Sequence, residues 1–367
     1  MAKKKFTIKP RTKKNVVRRP LWKMEDGITF SALSKWQTCP EQFSLQWIDG
    51  LTPKAISIPL EFGSVIHYAL ENQDKSTPHE VIHRITDHYR KYRSSTLVNS
   101  SERDTLNYIL GLAEIVFPHY CEYWKHDDSK IDWIGREEKF KVPYSFPTVD
   151  GSREILLRGM RDGLYNLKDH DEVFGIFETK TKSRIVESEI IANLNYDMQT
   201  MIYCFATYLT TGRYPNQVKY NVIRRPDTYR RKGEALDSFL RRVNEDIAKR
   251  PDFYFMRYTA TILQADIDRF AKQTLNPILN LFAQWWDSVK KNPLQEEIVL
   301  PEDRLTRQGT TIEGRWSSPF HFLNSSALVG KFGKAEMWDA IFGNMQPYRV
   351  RDQIFPELEE SFQVTWD

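Results

Sequence analysis

Three strand-like segments follow one another in the middle of this chain, with helix-like segments before and after them. They cover residues 134–144, 155–167 and 173–181. The stretch 168–172 between the second and third segments is polar and turn-like, so these two segments can pair as a hairpin. Successive strands between helices indicate an α/β fold in which helices flank a central mixed sheet.

Apolar periodicity predicts the elements around these strands. They are helices over 60–73, 78–125 (with a polar break at 94–103), 186–211 and 263–291, a strand over 218–223, and a short helix that starts at Thr29 or Ser31 and ends near Cys39. Gly212 is well placed to end the helix over 186–211. The sheet should therefore carry helical additions on both its N-terminal and C-terminal sides.

A charged pair stands at the end of the third strand-like segment. Glu178 and Lys180 are two residues apart, and alternate side chains of a strand point to the same face. Asp162 lies sixteen residues before Glu178, in the segment expected to pair with it. The hairpin would therefore bring two carboxylates and one ammonium group together.

This group of charges suits the hydrolysis of a phosphodiester bond. Mg²⁺ is held in proteins through one or two carboxylates, together with water and phosphate oxygens. Asp162 and Glu178 can supply these ligands, with the carbonyl of Thr179 as a third. Lys180 would orient or deprotonate the attacking water, or stabilise charge on the phosphate. On strand pattern alone, an exposed Glu–Lys ion pair is the commoner cause of this spacing. The upstream Asp162-Gly and the apolar residues before both sites make the two interpretations about equal.

The next helix carries a polar face that can extend this site. Gln199 and Tyr203 are four residues apart, so they share one face of a helix. An apolar stripe on the same helix is available for the core. The two polar residues could line a cleft that binds phosphate. The alternative is an exposed amide and a half-buried tyrosine.

Five segments occur in a recognisable order: 31–43, 63–67, 159–162, 177–180 and 199–203. Together they resemble the motifs of the PD-(D/E)XK nuclease superfamily, specifically its RecB-like, AddB-like branch of phage and bacterial exonucleases. The resemblance implies a restriction-endonuclease-like core and a nuclease that depends on Mg²⁺ or Mn²⁺. It departs from the family name at one position, because Arg161 precedes Asp162 where that name has proline.

The resemblance also implies roles for individual residues. Asp162, Glu178 and Lys180 match the catalytic positions, and His67, Asp162, Glu178 and Thr179 the metal site. Expected DNA contacts come from Gln199, Tyr203 and Lys182. Spacing alone does not identify His67 as a ligand, since a single histidine on a helix is usually structural.

The cysteines indicate no metal cluster. Iron–sulfur members of this branch combine an early cysteine with three more near the C-terminus. Cys39 stands at the first of these positions, but no cysteine follows Cys204. We therefore expect no iron–sulfur cluster. With Cys121, the three widely spaced cysteines fit buried thiols better than a disulfide framework.

The first 23 residues contain ten lysines or arginines and no acidic residue, whereas the rest of the chain has 43 basic and 49 acidic residues. We expect residues 1–26 to form a disordered arm that binds DNA phosphates through Lys13, Lys14, Arg18 and Arg19. The alternative is a merely solubilising terminus. A nuclease domain is expected over 27–295, with a C-terminal extension over 296–367 packed against it.

These features predict a metal-dependent DNA nuclease that acts in replication, recombination or repair. The resemblance favours an exonuclease over an endonuclease. The chain has no phosphate-binding loop of the helicase type, so any helicase must be a separate partner. A single-strand-binding or recombination protein is the other kind of partner that this function allows. We expect a cytoplasmic location, in a bacterium or in the host of a phage, and no membrane association, because no apolar run is long enough to span a bilayer.

Two alternative functions remain compatible with the sequence. A nuclease fold can persist as a DNA-binding scaffold, or as a subunit of a recombination complex, after its activity is lost. More remotely, His79 and His83 match the His-Glu-x-x-His motif of zinc metalloproteases, with His88 or Glu102 as a third ligand. Cleavage of DNA would distinguish the first alternative, and stoichiometric zinc binding the second.

Overall fold

A six-stranded mixed sheet forms the centre of the protein, and helices cover both of its faces. The computed structural model describes residues 21–291, apart from 49, 54–55, 95–96, 98 and 194–196, and, beyond them, residues 348–350, 353–355, 358, 364 and 366. This architecture confirms the predicted α/β fold with a restriction-endonuclease-like core.

The predicted meander forms the main part of the sheet. The strands are β1 (Ile28–Thr29), β2 (Leu51–Pro53), β3 (Ile131–Thr148), β4 (Gly151–Leu167), β5 (His170–Lys182), β6 (Gln217–Arg224), β7 (Phe255–Thr261) and β8 (Tyr348–Val350). Their order in the main sheet is β1-β4-β5-β6-β7, with β3 paired to β4. β3, β4 and β5 are antiparallel neighbours, whereas β5 and β6 are parallel. The predicted three-strand meander is therefore confirmed.

Helices occupy most of the remaining described residues. They are α1 (Phe30–Thr38), α2 (Pro40–Phe43), α3 (Ile58–Glu71), α4 (Pro78–Ser94), α5 (Ser100–Asp128), α6 (Glu187–Asn193), α7 (Met198–Thr211), α8 (Leu236–Lys249), α9 (Pro251–Tyr254), α10 (Gln264–Phe270) and α11 (Asn276–Lys291). Thr29 caps α1 by accepting a hydrogen bond from the Ala32 amide. Gly212 ends α7 in the left-handed conformation, at φ 72°. Within the described residues, none of these helices is both long and apolar enough to cross a membrane.

Two helix predictions were wrong in detail. The helix expected over 186–211 is two helices, because the Asp197 side chain accepts a hydrogen bond from the Thr200 amide and begins α7 there. The helix expected over 263–291 is interrupted by a π-helical turn at Ala271–Leu275, just before Pro277. Proline has no amide hydrogen to donate and its ring crowds the preceding turn, so the regular helical pattern fails there.

An aromatic cluster fills the core on one side of the sheet. The Trp22 ring packs edge-on against Phe43, Phe282 and Trp286, with ring centroids 4.9–5.6 Å apart. Trp22 is fully buried. Trp22 therefore belongs to the folded core, while the boundary expected at residue 26 stays a prediction.

The core on the other side is built by α3, α4, α5 and α8. Described residues near the C-terminus also join the fold. β8 pairs with β2, Phe355 is fully buried, and the Trp366 indole donates a hydrogen bond of 2.9 Å to the Asn72 side chain. These parts of the expected extension over 296–367 therefore pack on the rest of the chain, while the division into domains stays a prediction.

Candidate active site

The hairpin of β4 and β5 places Asp162 beside the segment that carries Glu178. Gly163 of β4 lies opposite Phe177 of β5, so Asp162 and Glu178 come next along their strands. The Thr179 amide donates a hydrogen bond of 2.6 Å to Asp162 Oδ2. This bond fixes the Asp162 carboxylate against the backbone of β5.

Lys180 is held by two side chains. Its Nζ donates to Glu178 Oε1 at 2.6 Å and to Gln199 Oε1 at 2.7 Å. The Gln199 amide in turn donates to the Tyr203 hydroxyl at 3.0 Å. Tyr203 is only 7% exposed and packs edge-on against Phe140. Gln199 and Tyr203 therefore share a face, and through Gln199 that face holds Lys180.

Helix α3 brings His67 to the same place. Its Nδ1 lies 2.9 Å from Glu137 Oε1 and 3.6 Å from Asp162 Oδ1. Four residues earlier, a Cβ on Gly63 would come 3.0 Å from Thr181 Oγ1 of β5. A glycine here lets the helix approach the strand closely, which explains why this residue type precedes the histidine by one turn.

The charges of the site are unbalanced. Burial, then the Asp162 carboxylate, raise the pKa of Glu178, and burial raises the pKa of Asp162. Burial alone would lower the pKa of Lys180, but the Glu178 carboxylate outweighs it, so the pKa is raised and the ammonium stays charged. For His67, burial is outweighed by Asp162 and Glu137, which raise its pKa to about 10. The site thus favours additional positive charge.

The side chains fit a divalent metal ion. Glu137 Oε2 and Glu178 Oε2 are buried, and neither has a hydrogen-bond partner among the described residues. Such oxygens are costly unless a cation or water satisfies them. Carboxylate oxygens are preferred by Mg²⁺ and Mn²⁺. Donor atoms of His67, Glu137 and Asp162 all lie within 4.8 Å of one another.

The structure places the expected metal ligands in two neighbouring groups. His67 and Asp162 come together with Glu137, which the sequence did not point to. Glu178 and Thr179 lie alongside, since Thr179 bonds to Asp162 and Glu178 to Lys180. Glu137 sits in the charged run Arg136-Glu-Glu-Lys139, which is typical of a solvated surface. Its place opposite Asp162 depends on the pairing of β3 with β4, which the charged run does not reveal.

A buried polar network supports the site from beneath the sheet. Asn221 of β6, fully buried, donates to Thr179 Oγ1 at 3.2 Å. Arg257 of β7 donates to Asn221 Oδ1 at 3.1 Å, and also to Asp128 and to the Tyr120 hydroxyl. The sequence did not reveal this network, because β7 was not predicted as a strand.

Arg161, which stands where the family name has proline, connects the sheet to helix α7. Its side chain is buried and donates to Thr207 Oγ1 of α7 at 2.9 Å. It also lies 3.6 Å from Glu138. Adjacent strand residues point to opposite faces, so Arg161 fastens α7 to the sheet without entering the metal site.

Other predicted positions lie apart from this centre. Lys182 is exposed at the end of β5, while Lys13, Lys14, Arg18 and Arg19 fall outside the described residues. His79 and His83 are exposed on α4, and within the described part of the chain neither belongs to a group of three potential metal ligands. Cys39 and Cys204 are buried and Cys121 is half-buried.

Comparison with known proteins gives a family match. A family model described as the PD-(D/E)XK nuclease superfamily matches residues 28–294, which is 267 of the 367 residues. No curated protein matches the chain. The matched region runs from β1 to the residues just after α11 and includes every residue of the site described above. It does not distinguish the RecB-like branch from the others.

Proposed function

Because the chain belongs to the PD-(D/E)XK nuclease superfamily, we propose that it is a divalent-metal-dependent DNA nuclease with Asp162, Glu178 and Lys180 as its catalytic residues. The observation that carries this proposal is the contact of 2.6 Å between Lys180 and Glu178, beside the Asp162 carboxylate. The family also implies DNA as the substrate, and its members use divalent metals.

In this proposal His67, Asp162, Glu178 and the Thr179 carbonyl hold Mg²⁺ or Mn²⁺. When bound, such an ion neutralises charge on the phosphate and lowers the pKa of a coordinated water. The Thr179 amide keeps the Asp162 carboxylate in place through its hydrogen bond. Glu178 Oε1 accepts a hydrogen bond from Lys180. Glu178 Oε2 has no hydrogen-bond partner among the described residues, so it can bind the ion.

The two contacts of Lys180 favour one of its possible roles. A charged ammonium donates hydrogen bonds and cannot accept a proton. Held by Glu178 and Gln199, Lys180 would orient the attacking water or stabilise negative charge on the phosphate. Its action as a general base would first require loss of the proton that Glu178 helps to retain.

We further propose exonuclease action in replication, recombination or repair, in the manner of the RecB-like branch. The motif order supports this assignment, and we propose a helicase, single-strand-binding or recombination protein as a partner. Exposed Lys182 would contact DNA directly. Gln199 and Tyr203 would act through Lys180.

Cleavage of end-labelled DNA tests the proposal. Linear duplex, linear single-stranded and closed circular DNA should be incubated with EDTA, Mg²⁺ or Mn²⁺. We expect linear DNA to be degraded only with metal, and circles to be spared because an exonuclease needs an end. Cutting of circles would instead show an endonuclease. Intact DNA in every lane, with binding retained, would point to a scaffold.

Removal of residues 1–20 should weaken DNA binding and reduce its dependence on salt. The deletion removes nine basic residues but keeps Trp22 in the core. Each phosphate contact that is lost should reduce the slope of log K against log salt by about 0.9. Fluorescence anisotropy in EDTA over a salt series measures the slope. A deletion variant with the same slope as the full chain would show that the arm does not contact DNA.

A further inference from the structure

Glu137 and Asp162 face each other across two paired strands. Arg136 of β3 pairs with Gly163 of β4, and Glu138 pairs with Arg161, so Glu137 and Asp162 lie opposite each other between these pairs. Two carboxylates directly opposite in a sheet repel each other. Their side chains are also largely buried, at 7% and 12% exposure, where water screens the repulsion poorly.

The backbone of Glu137 is strained as well. At φ 48°, it is the one residue other than glycine with positive φ in the described part of the chain. Strain of this kind persists where the surroundings enforce it and is common at functional sites. The preceding residue, Arg136, is held on both sides, because its guanidinium stacks on Trp133 at 4.3 Å and pairs with Asp74.

From this arrangement we propose that Glu137 is a direct ligand of the catalytic metal ion, together with His67 and Asp162. This inference rests on the proposed function, since it assigns a further residue to the metal site of the nuclease. A cation bound between the two opposed carboxylates would attract both of them. The free energy of this binding would offset their repulsion and the strain in the Glu137 backbone.

The spacing of the donor atoms supports direct binding. Neighbouring ligands of an octahedral ion with bonds of about 2.1 Å are about 3.0 Å apart. His67 Nδ1 lies 2.9 Å from Glu137 Oε1 and 3.6 Å from Asp162 Oδ1. Glu137, Asp162 and Thr179 also line a cavity of about 20 Å³, which is room for one water molecule.

A simpler role for Glu137 would be to orient the His67 ring through a hydrogen bond. Replacement by glutamine separates the two roles. Glutamine keeps an oxygen that can accept from His67 Nδ1, and it nearly keeps the shape, but it loses the negative charge that a metal ligand supplies. Alanine removes both functions. The glutamine variant also limits the risk of misfolding.

The test is Mn²⁺ affinity, measured on the full chain by calorimetry or electron paramagnetic resonance without DNA. We expect Glu137→Gln and Glu137→Ala each to weaken Mn²⁺ binding at least about tenfold. The increase in melting temperature that Mn²⁺ produces should shrink in parallel. The matched control is Glu138→Gln, next in the strand and directed to Arg161, which should bind Mn²⁺ as the wild type does.

Wild-type Mn²⁺ affinity in Glu137→Gln, with loss only in Glu137→Ala, would overturn the inference and reduce Glu137 to positioning His67. That result would leave the nuclease proposal intact, because the wild type would still bind metal. Failure of the wild type itself to bind Mn²⁺ or to cleave DNA with it would overturn the proposed function and this inference together. Melting curves without metal establish that each variant is folded.

Discussion

Lys180→Ala should lower metal-dependent DNA cleavage by about 10³-fold, because it removes the ammonium group that Glu178 holds beside Asp162. Glu178→Ala should have an effect of at least the same size, since it removes both a proposed metal ligand and the anchor of Lys180. Single-turnover cleavage of end-labelled linear DNA with Mn²⁺ measures both effects.

Lys141→Ala provides the matched control for the lysine. Lys141 is an exposed lysine on β3, so its loss removes the same charge from a strand outside the site. It should cleave at the wild-type rate. DNA binding in EDTA should persist in Lys180→Ala and in Glu178→Ala. Normal cleavage by both of those variants would remove the two residues from the mechanism.

Arg257→Ala should destabilise the protein by about 3 kcal/mol, because breaking a buried ion pair leaves its partner charge uncompensated. The Arg257 side chain is 5% exposed, and that of Asp128 is 19% exposed. The substitution also takes a hydrogen bond from the Tyr120 hydroxyl and another from Asn221. Urea unfolding of the metal-free protein measures the loss of stability.

Two further variants serve as comparisons for the stability of Arg257→Ala. Arg269→Ala removes an arginine whose ion pair is exposed, so it should change stability by no more than about 0.5 kcal/mol. Arg257→Lys should recover only part of the loss, because an ammonium group cannot reproduce the several directed bonds of a guanidinium. An unfolding midpoint in Arg257→Ala equal to that of the wild type would show that the network contributes nothing net to stability.

The meander could be predicted from sequence because the information is local. The polar turn, expected at 168–172 and found at 168–169, joins β4 to β5, and their pairing brings Asp162 beside Glu178. The same holds for Gln199 and Tyr203, whose shared face follows from helical spacing. The amino-acid sequence is therefore enough to name these four residues, whereas their roles stay predictions.

Glu137 and Arg257 could not be found in this way. The place of Glu137 depends on the register of β3 with β4, which shifts by one residue between Trp133 and Gly135. One such shift decides whether Glu137 or its neighbour stands opposite Asp162. Arg257 lies on β7, whose inward and outward side chains do not alternate clearly. In both cases the decisive contact comes from a distant strand.

Because β2 pairs with β8, the small sheet that they form cannot be completed until almost the whole chain has been synthesised. Leu51 of β2 pairs with Val350 of β8. At about 5–20 residues per second, a ribosome needs roughly 15–60 s to add the residues between them. The meander and the helices from α3 to α11 are all made within that interval. During this interval the backbone groups of β2 that later bond to β8 lack that partner. A chaperone can therefore cover this strand edge in the nascent chain until β8 emerges.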